Sequence, residues 1–202
     1  MPRSAVRTPA AEDPVLALAS TAAWEVWLRR NHARSAGIFL RIPKLTQDLT
    51  YAGALEVALA WGWIDSQKRS LDGTAWLQRF TPRTARSPWS KINRAKAEAL
   101  IAAGRMQAPG LAEVERAKRD GRWARAYTGA KASTVPDDLA AALAKNAGAQ
   151  AFFETLDAAN RYAILYRVTT AKLPATRAQR IAKFVDMCAA GETLHPPRSR
   201  NR

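Results

Sequence analysis

Cysteine and histidine are nearly absent from this chain: 202 residues hold one Cys and two His. A single thiol, Cys188, closes no internal disulfide, and histidines as far apart as His32 and His195 leave no Cys/His spacing that would build a structural zinc site. No metal site and no cofactor is expected. The chain also lacks a glycine-rich phosphate loop, a nucleophile elbow and a Cys/His catalytic pairing, so no catalytic residue is named. Long apolar runs are missing too. No stretch approaches the ~20 residues of a membrane span, and the opening "MPRSAVRTPAAEDP" has no apolar core of the length of a secretory signal, so the expected setting is the cytoplasm. Acids are the remaining scarcity. Asp and Glu total 17 against 32 Lys and Arg, giving a formal charge of +15 and a pI near 10.9. That surplus disfavours cationic partners and favours nucleic acid, anionic lipid or phosphorylated ligands.

What the chain does have is enough apolar material for a core, 48% of its residues, which excludes wholesale disorder. Its bases are unevenly spread. Between Ser66 and Lys131 stand fifteen bases and five acids, and Arg3, Arg7, Arg198, Arg200 and Arg202 add five more bases near the ends. The expected organisation is a flexible leader over 1–12, a basic α+β domain over 13–131, a helical domain over 132–191 and a disordered basic tail over 192–202. The expected fold class is α+β, with a small, mainly antiparallel sheet flanked by helices and followed by a C-terminal helical unit.

Local patterns supply the elements. Thr21 is read as the cap of a helix to about Arg30, with Trp24, Trp27 and Leu28 on one buried stripe. Ile38, Phe39, Leu40 and Ile42 form a strand ended by Pro43. Thr50 caps a helix that stops at Gly62. "WIDSQKRS" and "TAWLQRFTPR" read as two strands around an Asp-Gly turn, the second alternating Trp76, Gln78 and Phe80 with Leu77, Arg79 and Thr81. Ser87 followed by Pro88 fits an N-cap and first helical position, opening a helix to about Ala103 with Ile92, Ala95, Ala99, Leu100 and Ala103 inward. Pro109 starts a helix stopped by Gly121. Further helices open at Asp137, at "AFFETL", after Asp157 and at Pro174, the last placing Cys188 among Ile181, Phe184 and Val185 as a packed thiol.

Three groups of residues are candidates for function. "WLQRFTPRTARSPWS" interleaves Arg79, Arg83 and Arg86 with aromatic rings, and Trp89, Ser90, Lys91, Asn93 and Arg94 follow. If Trp89 is exposed it stacks on a base or sugar while the arginines hold phosphates; if it is buried the arginines form only an electrostatic surface. A secondary anion site is read at "AKLPATRAQRI", where Lys172, Thr176, Arg177 and Arg180 converge on a helix N-terminus; the alternative is that these bases solvate the surface or neutralise Asp157 and Glu154. Trp63 and Asp65 mark a third candidate, a pocket carboxylate, against a structural ion pair or turn. A helix-turn-helix around "GRMQ" is disfavoured, because Glu113 and Glu115 would sit where a recognition helix meets phosphates.

Several stretches taken in order resemble the bacterial YdeI/OmpD-associated family, also labelled bacteriocin-protection proteins: "ALEVALAWGWIDS" (54–66), "RFTPR" (79–83), "SPWSKIN" (87–93), "GRM" (104–106), "DGRWARAY" (120–127), "FF" (152–153) and "AKLPATRAQRI" (171–181). The resemblance runs from about Trp24 to Gly191. It implies a link to stress response, through survival of antimicrobial peptides and association with an outer-membrane porin, with a periplasmic setting; it implies no agreed catalytic residues. Ala175 stands where relatives often carry an acid. The reading is a non-catalytic binding or stress-protection protein with a basic face for an anionic ligand or macromolecule. Its alternatives are a sequence-nonspecific nucleic-acid-binding protein and an enzyme with a small-molecule pocket near Trp63, Asp65 and Arg79. The oligomeric state stays open.

Overall fold

The computed structural model describes residues 13–45 and 48–196. The leader expected over 1–12, the arginines placed there and the tail beyond residue 196 lie outside the described residues. The chain divides into two compact units. The first runs through Ser87 and takes in Ala95–Gly121; the second combines Pro88–Arg94 with Arg122 onward. The architecture is α+β, as expected.

The first unit is built on a four-stranded sheet. Strands β1 (Val15–Leu16), β2 (Ile38–Pro43), β3 (Trp63–Ser70) and β4 (Ala75–Pro82) lie in the order β1-β2-β4-β3. β1 pairs parallel with β2 and every other pairing is antiparallel. Composition explains the central strands: Ile38, Leu40 and Ile42 are wholly buried on one face of β2, and Phe39 is buried on the other. The Asp-Gly turn between β3 and β4 closes on Asp72, whose carboxylate accepts from Thr74 N (2.6 Å), Thr74 Oγ1 (2.7 Å) and Ala75 N (2.9 Å). The two-residue strand β1 was not among the expected elements, because so short a pairing has no period of its own.

Helices α1 (Thr21–Asn31) and α2 (Tyr51–Ala60) supply the cover for one sheet face. Trp24 of α1 lies 5.6 Å from Phe80 and 6.2 Å edge-on from Trp63, and stacks on Trp27 at 5.3 Å. Its indole nitrogen donates to Ala54 O (3.1 Å), tying α1 to α2. Truncating such a buried indole costs about 3–5 kcal/mol. Ser20 rather than Thr21 caps α1, accepting from Ala23 N at 3.2 Å. Thr50 caps α2 as read, accepting from Gly53 N at 3.1 Å. Gly62 ends that helix with a φ of +74°, a conformation that favours glycine.

Helix α3 (Lys91–Ala102) corrects two expectations. It starts three residues later than the Ser-Pro pair suggests: Ser90, not Ser87, accepts from Asn93 N (3.1 Å), while Ser87 closes a turn by accepting from Thr84 N (2.9 Å). Both serines satisfy the capping chemistry, and the extended Pro88-Trp89 segment between them decides for the second. The expected inward stripe is also displaced. Ala97 and Leu100 are buried, whereas Ala95, Ala99 and Ala103 are exposed and Ile92 is 61% exposed.

Helix α4 (Ala108–Arg119) packs its first turns against the end of α2. The approach is close enough that a Cβ built on Gly110 would stand 2.2 Å from Ala60 O. In the second unit, α5 (Asp137–Ala144), α6 (Ala147–Thr155), α7 (Ala158–Thr169) and α8 (Pro174–Ala189) enclose a core of Leu139, Leu143, Phe153, Ile164, Val168, Ile181, Phe184 and Cys188. Asp157 caps α7 by accepting from Asn160 N at 2.7 Å. Cys188 is 1% exposed, a packed thiol as expected, and burial raises its pKa.

Two outcomes follow from this packing. Gly110→Ala is expected to lower stability by about 1–3 kcal/mol through overpacking against α2, whereas Gly73→Ala, with open space around its Cβ, is expected to change it by at most about 0.5 kcal/mol; thermal unfolding of both variants is the measurement. Cys188 is expected to resist a thiol reagent in the native protein and to react fully once the protein is unfolded.

Candidate functional site

The arginine and tryptophan ribbon divides between the two units. Arg79, Arg83 and Arg86 belong to the first unit, and Trp89, Ser90, Lys91, Asn93 and Arg94 to the second. Arg79 lies on β4 with its Nε 2.6 Å from Asp13 Oδ2. Arg83 follows β4, is 5% exposed, and its backbone N–H donates to Gly62 O at 2.9 Å. Arg86 is exposed on the turn closed by Thr84 and Ser87. Of these three, only Arg86 keeps the fully solvated position that the ribbon reading assumes.

The second unit gathers the rest around a short backbone pairing. Ser90 forms a parallel bridge with Tyr127, in which Tyr127 N donates to Trp89 O (2.9 Å) and Lys91 N donates to Tyr127 O (2.8 Å). That pairing holds the chain extended before α3 and buries Trp89 to 1% exposure, with its ring 4.8 Å edge-on from Trp123. Trp89 therefore follows the second of its two readings: stacking on a base is closed to it, and it serves as the floor under its neighbours. Ser90 is buried as the helix cap, Lys91 is exposed, Asn93 is half-buried, and Arg94 donates to Trp123 O at 3.4 Å.

The bridge brings together two stretches of one sign. Residues 88–94 and 122–136 contain Lys91, Arg94, Arg122, Arg125 and Lys131 and no acid. Alongside lie three half-buried tyrosines. Tyr127 meets Tyr166 edge-on at 5.0 Å, Tyr166 lies 5.9 Å from Tyr162, and Tyr162 Oη donates to Thr128 O at 3.3 Å. Burial, with the neighbouring Tyr127 and Tyr166, holds the Tyr162 phenol above its ordinary pKa, so it stays a neutral donor. Sequence reasoning missed Trp123, Tyr127, Tyr162 and Tyr166. The available signal was the i, i+4 repeat of Tyr162 and Tyr166 on one helix face.

At the secondary site, Arg177 is already engaged. It forms a fork with Asp138, Nε to Oδ2 at 2.6 Å and Nη2 to Oδ1 at 2.8 Å, and its Nη1 donates to Val168 O at 2.9 Å. Arg180 donates to Arg167 O, Thr176 is half-buried and Lys172 is exposed. Arg177 is thus paired with an acid, but with Asp138 and not with Asp157 or Glu154. Beside this pair an open groove of about 470 Å³ runs between α5 and α8, floored by Ala142, Ala178, Ile181, Ala182 and Val185.

Asp65 accepts from Tyr51 Oη at 2.7 Å. Burial raises the Tyr51 pKa first, and the bond to Asp65 and its negative charge raise it further, so the phenol stays protonated and the pair is a stable donor–acceptor unit. Trp63 is 1% exposed and packs edge-on against Trp24 and Trp27, with its indole donating to His32 O at 3.3 Å. It is a core ring, not the wall of a pocket. Among the described residues no group of three or more His, Cys, Asp or Glu could hold a metal ion, and no helix is long and apolar enough to cross a membrane.

Comparison with known families separates the chain along its length. Residues 132–191 match the family described as Bacteriocin-protection, YdeI or OmpD-Associated. Over residues 132–191 the chain is similar to a YdeI/OmpD-associated domain. Residues 16–113 match a different model, a domain of unknown function (DUF8412). Of the stretches that carried the resemblance, "FF" and "AKLPATRAQRI" therefore lie inside the YdeI/OmpD-associated match, the four between 54 and 106 lie in the other match, and "DGRWARAY" lies in neither. No curated protein and no solved structure matches.

The two ends of the site give measurable consequences. Ser90→Ala is expected to cost about 1 kcal/mol, the usual loss of an N-cap acceptor. The Arg177–Asp138 fork depresses the Asp138 pKa, chiefly through the guanidinium hydrogen bond. A depressed carboxylate contributes stability above its unfolded pKa and loses it as pH falls through the folded one. Because both side chains are partly solvated, Asp138→Asn is expected to cost no more than about 1 kcal/mol at neutral pH and to be indistinguishable from wild type near pH 2.

Proposed function

We propose that the protein is a non-catalytic binding protein whose second unit presents a basic, tyrosine-lined surface to an anionic partner. One observation carries the reading: the Ser90–Tyr127 bridge joins two stretches that hold five bases and no acid, over a floor of packed tryptophan. A rigid floor lowers the ordering cost of the side chains above it, and stretches of one sign favour a ligand of the opposite sign. Tyrosine adds neutral phenol donors and ring edges, which suits phosphate or carboxylate oxygens set beside apolar atoms.

The description of the matched family speaks of bacteriocin protection. At +15 this chain repels a polycationic peptide within a Debye length of about 8 Å, so any protective role would run through an anionic partner rather than through capture of the peptide. Nucleic acid is the second reading. It is favoured by the same segment pair, because phosphate contacts from Lys and Arg need no base recognition. The Tyr51–Asp65 pair and the core position of Trp63 give an enzymatic reading no support.

The test is fluorescence anisotropy with a labelled single-stranded oligonucleotide and a labelled polyglutamate, each titrated at about 50 and about 200 mM salt. Binding of at least one probe is expected at low salt, falling at least tenfold between the two conditions, and Lys91→Glu with Lys131→Glu is expected to weaken it about tenfold more. Absence of binding to both probes at low salt, or affinity unmoved by the double charge reversal, would refute the reading.

A further inference from the structure

The groove between α5 and α8, within the second unit, is lined unlike the chain as a whole. At one end Asp138 of α5 meets Arg177 of α8. Further along, Ala142 and Lys145 line it from α5 and its end, and Ile181, Ala182, Val185 and Asp186 line it from α8, so the two helices run side by side in the same sense. The charged lining is two acids and two bases, a net charge of zero in a chain of +15. Between the charged ends the floor is apolar and open to solvent: Ala178 and Ala182 are exposed and Val185 is half-buried. Small side chains at such positions let a further helix approach closely, since the separation of packed helices follows the side chains between them.

The order of these charges makes the groove complementary to itself. Along α5 it runs from acid, Asp138, to base, Lys145; along α8 it runs from base, Arg177, to acid, Asp186. A second copy turned about a twofold axis across the groove sets α8 against α8 and α5 against α5, each pair antiparallel. Arg177 then faces Asp186 of the second copy, Asp138 faces its Lys145, and the symmetry repeats both contacts. The levels agree: Arg177 to Asp186 spans about 13.5 Å of helix and Asp138 to Lys145 about 10.5 Å, so the two midpoints differ by only about 1.5 Å along the groove. Ala182 lies at the midpoint of α8. A twofold axis along the groove would also pair unlike charges, but it would align the helix dipoles that the antiparallel arrangement opposes. The bonds of Arg177 to Asp138 and Val168 engage three of its five N–H donors, and Asp138 keeps solvent access, so both have capacity for a second partner.

From this geometry we infer that the α5–α8 groove is the contact face of a homodimer, in which a second copy of this chain docks antiparallel over Ala182. Two copies at +15 each repel one another, and a face of zero net charge is where they approach at least cost. A foreign helix would not require acid and base to be ordered oppositely on the two helices; a second copy does. A face built from two short helices makes the dimer weak and reversible. It is independent of the anionic-partner surface, because none of its four charged residues lies in the segments 88–94 and 122–136.

The experiment is sedimentation velocity on the full chain, without any anionic probe, from about 5 to about 500 µM at about 150 mM salt. A monomer–dimer equilibrium is expected. Asp186→Lys and Lys145→Glu are each expected to weaken it at least tenfold, because each sets like charges against one another at both symmetry-related contacts. The two substitutions change net charge in opposite directions, so a general charge effect would move them apart, whereas the local contacts weaken both. Both side chains are exposed, and melting temperatures measured in parallel confirm that the variants are folded. Ala182→Cys is expected to crosslink two copies under mild oxidation, while Ala151→Cys on the exposed side of α6 is not; the native Cys188 is buried and does not compete. Lys91→Glu with Lys131→Glu is expected to leave dimerisation within about twofold, which separates this face from the anionic-partner surface. The inference is overturned if the wild type stays monomeric throughout, if folded reversal variants associate as the wild type does, or if Ala151→Cys crosslinks as readily as Ala182→Cys. A monomer that takes up an apolar dye, and loses it with Ala182→Glu, would assign the groove to a small apolar ligand and equally overturn it.

Discussion

Charge bookkeeping constrains everything this protein can be. With 32 bases and 17 acids, no arrangement of side chains can pair every cation, and the fold has to decide where the surplus is exposed. It spends its acids locally. Glu56 meets Lys96 and Arg105, Glu113 meets Arg116, Glu115 meets Lys118, Asp13 meets Arg79 and Asp138 meets Arg177. Surface pairs of this kind contribute little stability, about 0–1 kcal/mol each. Their larger effect is to lower the positive field where they stand.

The two faces use arginine and aromatic rings differently. In the second unit, rings form the floor: Trp89 is buried beside Trp123 and frees the residues after it to start a helix, so the bases project from rigid backbone. On the sheet of the first unit, Phe39 is covered by Arg69 itself, and the guanidinium is the outermost layer. The first arrangement suits an anion with apolar parts to lie against phenol edges. That reading requires no proton transfer, and the phenols at Tyr51 and Tyr162 have pKa values that move away from neutrality.

Much of the fold was legible in the sequence, since it rests on local rules. A short apolar run marked β2 and alternation marked β4, Gly62 and Gly121 marked helix ends with positive φ, and Thr50 and Asp157 announced their caps. The failures came where two local solutions were chemically equal. Ser87 and Ser90 both offer a cap, and Ser20 and Thr21 likewise; the winner is set by a long-range partner, Tyr127 in one case, that no window of sequence contains. The inward face of α3 failed for the same reason, as Ala97 and Leu100 are chosen by what packs on the helix and not by its own composition. Proximity in sequence suggested one ribbon from Arg79 to Arg94, but the chain changes unit between Ser87 and Pro88, and the tyrosines of α7 enter from more than thirty residues away.

The central claim is that anions settle at definite places and are not simply attracted to a diffuse positive globe. Amide chemical-shift mapping during titration with a short polyanion at moderate salt tests it most directly. The account predicts that saturable shifts concentrate at residues 90–94 and 123–128. Shifts of equal size scattered over every basic residue, or none at all, would contradict it.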